Sequence, residues 1–160
     1  MITAVDTNIL LDILGNDLTY LGQSSALLEK YSNMGSLMIS PIVYSEILTA
    51  FLRKYRKNEA ISELHLFLRD LDVQIYDFAM EDFNLSAERW HKFSKFKQIQ
   101  CPKCGAVNKF NCNKCKSQVT WRNHILTDFL IGAHAQNNAE LLLTRNKGYF
   151  KKYFNIKILP

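Results

Sequence analysis

The sequence lacks the features that would place a protein in a membrane or mark a nucleotide-binding enzyme. Its 160 residues include no apolar run near the roughly 18 residues that a membrane span needs. Asp6 interrupts the short apolar N-terminus where a cleavable signal would continue. A glycine-rich dinucleotide loop, a P-loop lysine and a Ser/His/Asp arrangement are missing as well. We therefore expect a cytoplasmic protein with reduced thiols and no membrane partner.

Acidic residues are missing from one long stretch of the chain. From Arg89 to Arg122 there are nine Lys or Arg residues and no Asp or Glu, whereas the rest of the chain has 11 basic and 15 acidic residues. The net charge of +5 therefore comes from this basic segment. Such a segment is either a solvated face or a contact surface for the phosphate backbone of a nucleic acid.

Cysteine is scarce, and the whole supply falls inside the basic segment. The four residues form two CxxC pairs separated by seven residues: Cys101, Cys104, Cys112 and Cys115. This pattern is typical of a structural zinc ion bound by four thiolates. The spacing differs from that of a ferredoxin cluster, and the expected compartment disfavours disulfides. Because four thiolates would fill the coordination shell, the predicted zinc is structural and not catalytic.

The rest of the chain alternates short apolar runs with amphipathic stretches. The apolar runs predict five strands: Ile2–Val5, Leu37–Ile39, Val73–Tyr76, Leu141–Thr144 and Ile156–Leu159. Strands that alternate with helices imply a mainly parallel sheet with helices on both faces, an α/β fold. We predict a main domain of residues 1–97 and 121–160, with a small zinc ribbon inserted at residues 98–120.

Asp6 stands at the end of the first predicted strand. Thr7 and Asn8 follow it at once and can start a helix. In open α/β sheets ligands bind outside the carboxyl ends of the strands, so Asp6 is a candidate site residue. Its carboxylate can equally serve only as the cap of that helix. This stretch alone leaves both interpretations open.

Four stretches of the main domain, in order, resemble a PIN-domain ribonuclease of the small, VapC-like toxin type. They read VDTNILLDIL, SPIVYSEILTAF, HILTDFLIGAHA and LLLTRNKGYFKKYF. The resemblance implies a three-layer α/β/α fold and a metal-dependent endoribonuclease. By position it carries the acidic site over to Asp6, Glu46 and Asp128. The family often has a fourth acid where this chain has Asn146, which keeps an oxygen ligand but removes a charge.

Three carboxylates that converge in one cleft would favour a bound cation because of their charge. They repel one another and raise their own pKa values unless a cation neutralises them. Oxygen ligands favour Mg²⁺ or Mn²⁺ over zinc. Such an ion lowers the pKa of a bound water and stabilises the phosphoryl and leaving oxygens, as phosphodiester hydrolysis requires.

Several other residues are weaker candidates. Arg145 and Lys147 flank the site end of a strand and are candidates for binding phosphate. His124 precedes Asp128 by one helical turn and is either a substrate contact or a residue that starts the helix. Asp12 lies six positions after Asp6 and points off the Asp6 side, so we expect it on the surface.

These observations predict an endoribonuclease that acts on RNA and uses Mg²⁺ or Mn²⁺, with a structural Zn²⁺ in the ribbon. The resemblance further implies a cognate antitoxin that covers the site, and a homodimer. Two alternatives remain open. One is a PIN nuclease that matures ribosomal RNA, and the other is a non-catalytic module that binds RNA or protein.

Overall fold

The computed structural model describes residues 1–94, 99–100, 107–108, 110–119 and 126–160. For residues 99–100, 107–108, 118–119 and 147 it describes the backbone only. None of the described helices is both long enough and apolar enough to cross a membrane.

The main domain is built on a sheet of five parallel strands. In chain order the strands are β1 (Ile2–Val5), β2 (Ser36–Ile39), β3 (Val73–Ile75), β4 (Ile99–Gln100), β5 (Val107–Asn108), β6 (Phe110–Asn111), β7 (Gln118–Val119), β8 (Leu141–Leu143) and β9 (Lys157–Leu159). The large sheet has the order β3-β2-β1-β8-β9, and every neighbouring pair in it is parallel. The first strand of the chain therefore lies at the centre of the sheet.

The helices are α1 (Thr7–Leu14), α2 (Leu21–Ser32), α3 (Pro41–Leu52), α4 (Lys57–Asp70), α5 (Met80–Ser94), α6 (Thr127–Asn138) and α7 (Lys147–Tyr153). Helices α1 to α4 contact one another as one set, and α5 to α7 form a second set. Connections between parallel strands are right-handed, so the reversal of strand order at β1 sends the two sets to opposite faces. The predicted three-layer α/β/α fold is confirmed.

Beyond α5, the described residues of the basic segment include two small antiparallel pairs of strands. β4 pairs with β5, and β6 pairs with β7. Each CxxC pair falls in the connection inside one of these hairpins. Cys101 and Cys104 lie outside the described residues, as do residues 95–98 and 120–125 at the two borders. The predicted ribbon boundaries therefore stay a prediction.

The predicted elements differ from the observed ones mainly at their ends. Asp17 and Thr19 are residue types that predict the start of the second helix, but α2 begins at Leu21. The Asp17 carboxylate accepts hydrogen bonds from the backbone N–H groups of Thr19 (2.8 Å) and Tyr20 (3.2 Å). It therefore stabilises a turn before the helix. The amphipathic pattern from Ala79 to about Phe96 predicts one long helix. The structure has α5 from Met80 to Ser94, and Phe96 lies outside the described residues.

The core contains one close approach that only glycine permits. Gly132 lies in α6 against the ring of Phe154, which is 7% exposed. A Cβ at this position would come within 2.5 Å of the ring. Because both partners are enclosed by the core, neither can move aside without disturbing its neighbours.

We expect Gly132→Ala to destabilise the protein by about 1–3 kcal/mol through overpacking. Chemical denaturation monitored by circular dichroism measures this loss. Gly22→Ala is the matched control, because a Cβ there meets nothing within 4 Å and alanine favours a helix. Equal stability of the two variants would mean that Phe154 is free to move.

Candidate active site

The strand order reverses between β1 and β8, and polar residues follow both strands at this point. Asp6 comes directly after β1, and Thr144 comes directly after β8. The backbone N–H of Asp6 donates to the carbonyl of Leu143 at 3.0 Å, which holds the two strand ends together. Ligand sites of open α/β sheets lie at such a switch point, outside the carboxyl ends of the strands.

The Asp6 carboxylate caps α1 and also faces the neighbouring strand. Oδ1 accepts the backbone N–H of Thr7 at 2.8 Å. Oδ2 accepts the hydroxyl of Thr144 at 2.6 Å and the side-chain amide of Asn8. Asp6 is only 5% exposed. The carboxylate therefore caps the helix while lying at the strand end where a site is expected, so it remains a candidate site residue.

Burial makes the Asp6 charge costly. It raises the pKa of Asp6 from 3.8 to about 6. The hydrogen bonds from Thr144 and Thr7 oppose this shift, whereas the nearby charges of Asp128 and Glu46 add to it. Asp6 is thus a buried acid whose charged form a nearby cation would stabilise.

Glu46 reaches the same edge from α3. This helix begins at Pro41, a residue suited to the first helical position because it has no N–H to leave unpaired. Ser40 caps the helix by accepting the N–H of Val43 at 3.3 Å. Glu46 is half-buried in the second turn, and its carboxylate accepts a hydrogen bond from the hydroxyl of Thr7.

Asp128 reaches the site from the first turn of α6. The next residue, Phe129, is fully buried and fixes this end of the helix. It packs in an aromatic cluster with Trp90, Phe93, Tyr149, Tyr153 and Phe154. Burial, followed by the charge of Glu46, raises the pKa of Asp128. The side-chain amide of Asn146 lies 3.5 Å from Asp128 Oδ2 and opposes that shift.

The structure thus gathers four polar side chains near the carboxyl ends of the central strands: Asp6, Glu46, Asp128 and Asn146. Across the described ranges, no three Cys, His, Asp or Glu side chains are arranged as a ready-made metal cluster. The donor set nevertheless suits a hard cation, because Mg²⁺ keeps several waters and usually needs one or two protein carboxylates. Burial, followed by nearby acidic charges, raises the pKa values of Asp6 and Asp128, and a bound cation would favour their charged forms.

Arg145 lies beside the site, but its side chain turns towards α1. Nη2 and Nε donate to the two carboxylate oxygens of Asp12, at 2.5 Å and 3.1 Å. Asp12 is 3% exposed, so the expectation of a surface role for it was wrong. Its charge is buried because Arg145, distant in sequence, neutralises it.

The other two weaker candidates cannot be compared with the structure. His124 lies outside the described residues, and only the backbone of Lys147 is described, at the start of α7. Their predicted contacts with substrate stay predictions.

Sequence reasoning missed three residues that shape the site. Thr7 and Asn8 were taken only as turn and capping residues, although they bind Glu46 and Asp6. Asn8 also lies 3.1 Å from the hydroxyl of Thr144. Tyr149 packs against the core beside Phe129. It also lies near Asp128, whose charge adds to burial in raising the pKa of Tyr149. The sequence signal that could have identified Thr7 and Asn8 is the polar run directly after β1.

A second group of metal-type ligands lies in the hairpin of β6 and β7. The backbone N–H of Cys112 donates to the backbone carbonyl of Ser117 at 2.8 Å. The backbone N–H of Lys116 donates to the backbone carbonyl of Cys112, also at 2.8 Å. Lys116 has a φ of 60°, which lets the chain turn tightly around the two thiols. Hydrogen bonds from Ser117, then from Cys112, lower the pKa of the exposed Cys115 thiol to about 7. The thiolate is the form that binds metal.

Comparison with known families agrees with this architecture. The family model described as the PIN domain matches residues 3–155. The chain belongs to the PIN domain family. No curated protein sequence matches this PIN domain.

Solved structures show the same fold over nearly the whole chain. VapBC2 from Rickettsia felis, bound to a DNA fragment from its promoter, is 22% identical, with a TM-score of 0.67 and coverage of 99% of this PIN domain and 98% of the other chain. VapBC-1 from nontypeable Haemophilus influenzae is 20% identical, with a TM-score of 0.64 and coverage of 99% and 97%. VapC20 from Mycobacterium tuberculosis, described as a toxin that cleaves the sarcin-ricin loop, is 12% identical, with a TM-score of 0.54 and coverage of 96% of both chains.

The raised pKa of Asp6 predicts how stability depends on pH without added divalent cations. The folded state binds the Asp6 proton more tightly than the unfolded state does. Between about pH 4 and about pH 6 this difference lowers the free energy of unfolding as the pH rises. Asp6→Asn should remove that part of the slope in urea titrations across this range.

Asp70→Asn is the control, since it removes an exposed carboxylate from the same protein. If wild type and Asp6→Asn show the same slope, Asp6 has no raised pKa in the folded protein.

Proposed function

We propose that this PIN domain is an endoribonuclease that hydrolyses RNA phosphodiester bonds with the help of Mg²⁺ or Mn²⁺. The observation that carries the proposal is the set of three acidic side chains at the switch point between β1 and β8. Burial and mutual repulsion raise the pKa values of two of them, Asp6 and Asp128. Such an arrangement is costly for folding alone and useful for binding a cation.

Asp6, Glu46 and Asp128 would hold the cation, with Asn146 as an additional oxygen ligand. When bound, the ion would lower the pKa of an attacking water and stabilise the charge that develops on the phosphate. The chain's own polar residues orient these ligands. Thr144 and Asn8 fix the Asp6 carboxylate, and Thr7 fixes that of Glu46. This arrangement limits reorganisation of the ligands during the reaction.

The biological role that we propose is that of a toxin held in check by a cognate antitoxin. The support is the likeness to chains from VapBC and FitAB complexes, together with the motifs of the small toxin type. A homodimer and a direct RNA contact by Lys147 and His124 belong to the same proposal, whereas the Arg145 guanidinium is bound to Asp12. Maturation of ribosomal RNA would use the same chemistry without an antitoxin. An antitoxin-like reading frame directly upstream separates the two roles.

For residues 98–120 we propose an inserted zinc ribbon with Zn²⁺ bound by Cys101, Cys104, Cys112 and Cys115. Two features support it: the tight turn around Cys112 and Cys115, and the matching hairpin of β4 and β5 that brackets the other pair. The ion replaces the apolar core that such a short segment cannot build. The basic residues around it would then contact the RNA backbone.

We expect Asp6→Asn, Glu46→Gln and Asp128→Asn each to lower RNA cleavage by about a hundredfold or more, because each removes a charge that the cation requires. Cleavage of a labelled RNA in Mn²⁺ measures the loss. Asp128→Asn is the cleanest of the three, since the hydrogen bond that Asp128 makes to Asn146 is long, at 3.5 Å.

Glu88→Gln is the matched control, because Glu88 is an exposed acid paired with Lys92 on α5. Turnover of purified Asp128→Asn at the rate of this control would contradict the proposed site. Binding of RNA by wild type without cleavage in any divalent cation would favour the non-catalytic module.

We expect the double substitution of Cys112 and Cys115 by Ser to release the zinc and unfold the hairpin locally. Structural zinc contributes about 10–16 kcal/mol of folding free energy in isolated finger peptides. Affinity for a long structured RNA should then fall and depend less on salt, whereas cleavage of a short oligonucleotide should change little. Elemental analysis of wild type should give one zinc per chain.

Ser117→Ala is the control, because it removes the hydroxyl that contacts Cys115 but keeps all four thiols. An equal loss on both RNA substrates would show that the ribbon supports the carboxylate site and is not a separate RNA-binding arm.

A further inference from the structure

The three residues between β8 and α7 connect the candidate site to helix α1. Thr144 donates to Asp6, and Asn146 approaches Asp128. Arg145 stands between them in the chain and makes no hydrogen bond to any of the three site acids among the described contacts. This short segment therefore contacts Asp6 at one end and approaches Asp128 at the other.

Helix α1 holds Arg145 at two points. The backbone N–H of Arg145 donates to the side-chain carbonyl of Asn8 at 3.1 Å. One turn further along the same helix, Asp12 binds the guanidinium through both carboxylate oxygens. Residues four apart lie on one face of a helix, so α1 presents a matched pair of contacts to the segment.

The guanidinium has one further contact among the described residues, and the Arg145 side chain is 30% exposed. The ring of Tyr20 lies 3.9 Å from its central carbon, in a cation–π arrangement. Ser24, which is 1% exposed, donates to Asp12 at 2.6 Å. The Asp12 carboxylate is thus satisfied by two partners and held in one orientation. We call Asp12, Tyr20, Ser24 and Arg145 the α1 clamp.

A buried ion pair adds little net stability, because the attraction roughly repays the cost of removing two charges from water. A two-point pair is instead geometrically specific, since the planar fork of arginine matches a carboxylate in one arrangement. Lysine keeps the charge but cannot make this fork. The effect of the clamp should therefore lie in the placement of Thr144 and Asn146.

We propose that Arg145 and Asp12 are positioning residues: the α1 clamp holds Thr144 and Asn146 where Asp6 and Asp128 can bind one divalent cation together. Arg145 acts through its neighbours and does not contact the RNA phosphate. This inference rests on the proposed metal-dependent function, but it is tested by metal binding as well as by cleavage.

The test compares Mn²⁺ binding and RNA cleavage by Arg145→Lys with wild type, in full-length protein. Residues that support metal ligands typically change affinity or activity by about 10–100-fold. We expect Mn²⁺ binding, measured by calorimetry without RNA, to weaken about tenfold. On a short RNA, kcat should fall by about tenfold or more at a fixed Mn²⁺ concentration, and KM should stay within about twofold.

Arg69→Lys is the matched control, because it makes the same substitution in an exposed ion pair with Asp70. Tyr20→Leu is a second test variant. Tyr20 is 36% exposed, so its removal should leave the fold intact and loosen the clamp from one side. Like Arg145→Lys, Tyr20→Leu should weaken Mn²⁺ binding. If Arg145→Lys does not fold, Tyr20→Leu alone decides the question.

Unchanged Mn²⁺ affinity in the folded variants would overturn the proposal. A raised KM with unchanged kcat and a weaker salt dependence would overturn it too, because that result indicates direct contact with phosphate. Wild type that binds Mn²⁺ but cleaves no RNA would contradict the proposed function alone, and the affinity comparison would still decide the role of the clamp. Wild type that binds no Mn²⁺ would overturn both.

Discussion

The candidate site depends on one buried carboxylate. Asp6 lies where the central strand of the sheet ends, and it is almost removed from solvent. Its oxygens are shared among the N-terminus of α1, the neighbouring strand and Asn8. These contacts orient the charge without neutralising it, because each partner is a neutral donor. The Asp128 carboxylate on α6 and the segment Thr144–Asn146 are arranged around this charge.

The sequence allowed the sheet and one site residue to be predicted from local pattern. Each parallel strand is a short apolar run, and the first run ends abruptly on Asp6. Glu46 and Asp128 are different, since each lies within an amphipathic helix where an acid ordinarily marks a solvated face. Only the resemblance to a family singled them out. Their coupling to Asp6 depends on tertiary distances that helical periodicity does not contain.

Asp12 shows why other residues could not be predicted. Its spacing from Asp6 correctly places it off the Asp6 side of α1, and an unpaired acid there would face water. Its partner, Arg145, is 133 positions away in the chain, and no local signal announces such a pair. The predicted start of α2 was wrong for the opposite reason. Asp17 is a strong local signal for a helix start, but its carboxylate accepts hydrogen bonds from the backbone of a turn before the helix.

The central place of β1 in the sheet has a consequence for how the protein is made. β1 is synthesised before every other strand of the sheet, yet one of its two parallel neighbours is β8, which follows it by more than 130 residues. The hydrogen bond from Thr144 to Asp6 spans 138 positions. At translation rates of about 5–20 residues per second, the two groups are synthesised on the order of ten seconds apart. The hydrogen bond between Asp6 and Thr144 therefore cannot form on a nascent chain until residues up to Thr144 have been synthesised.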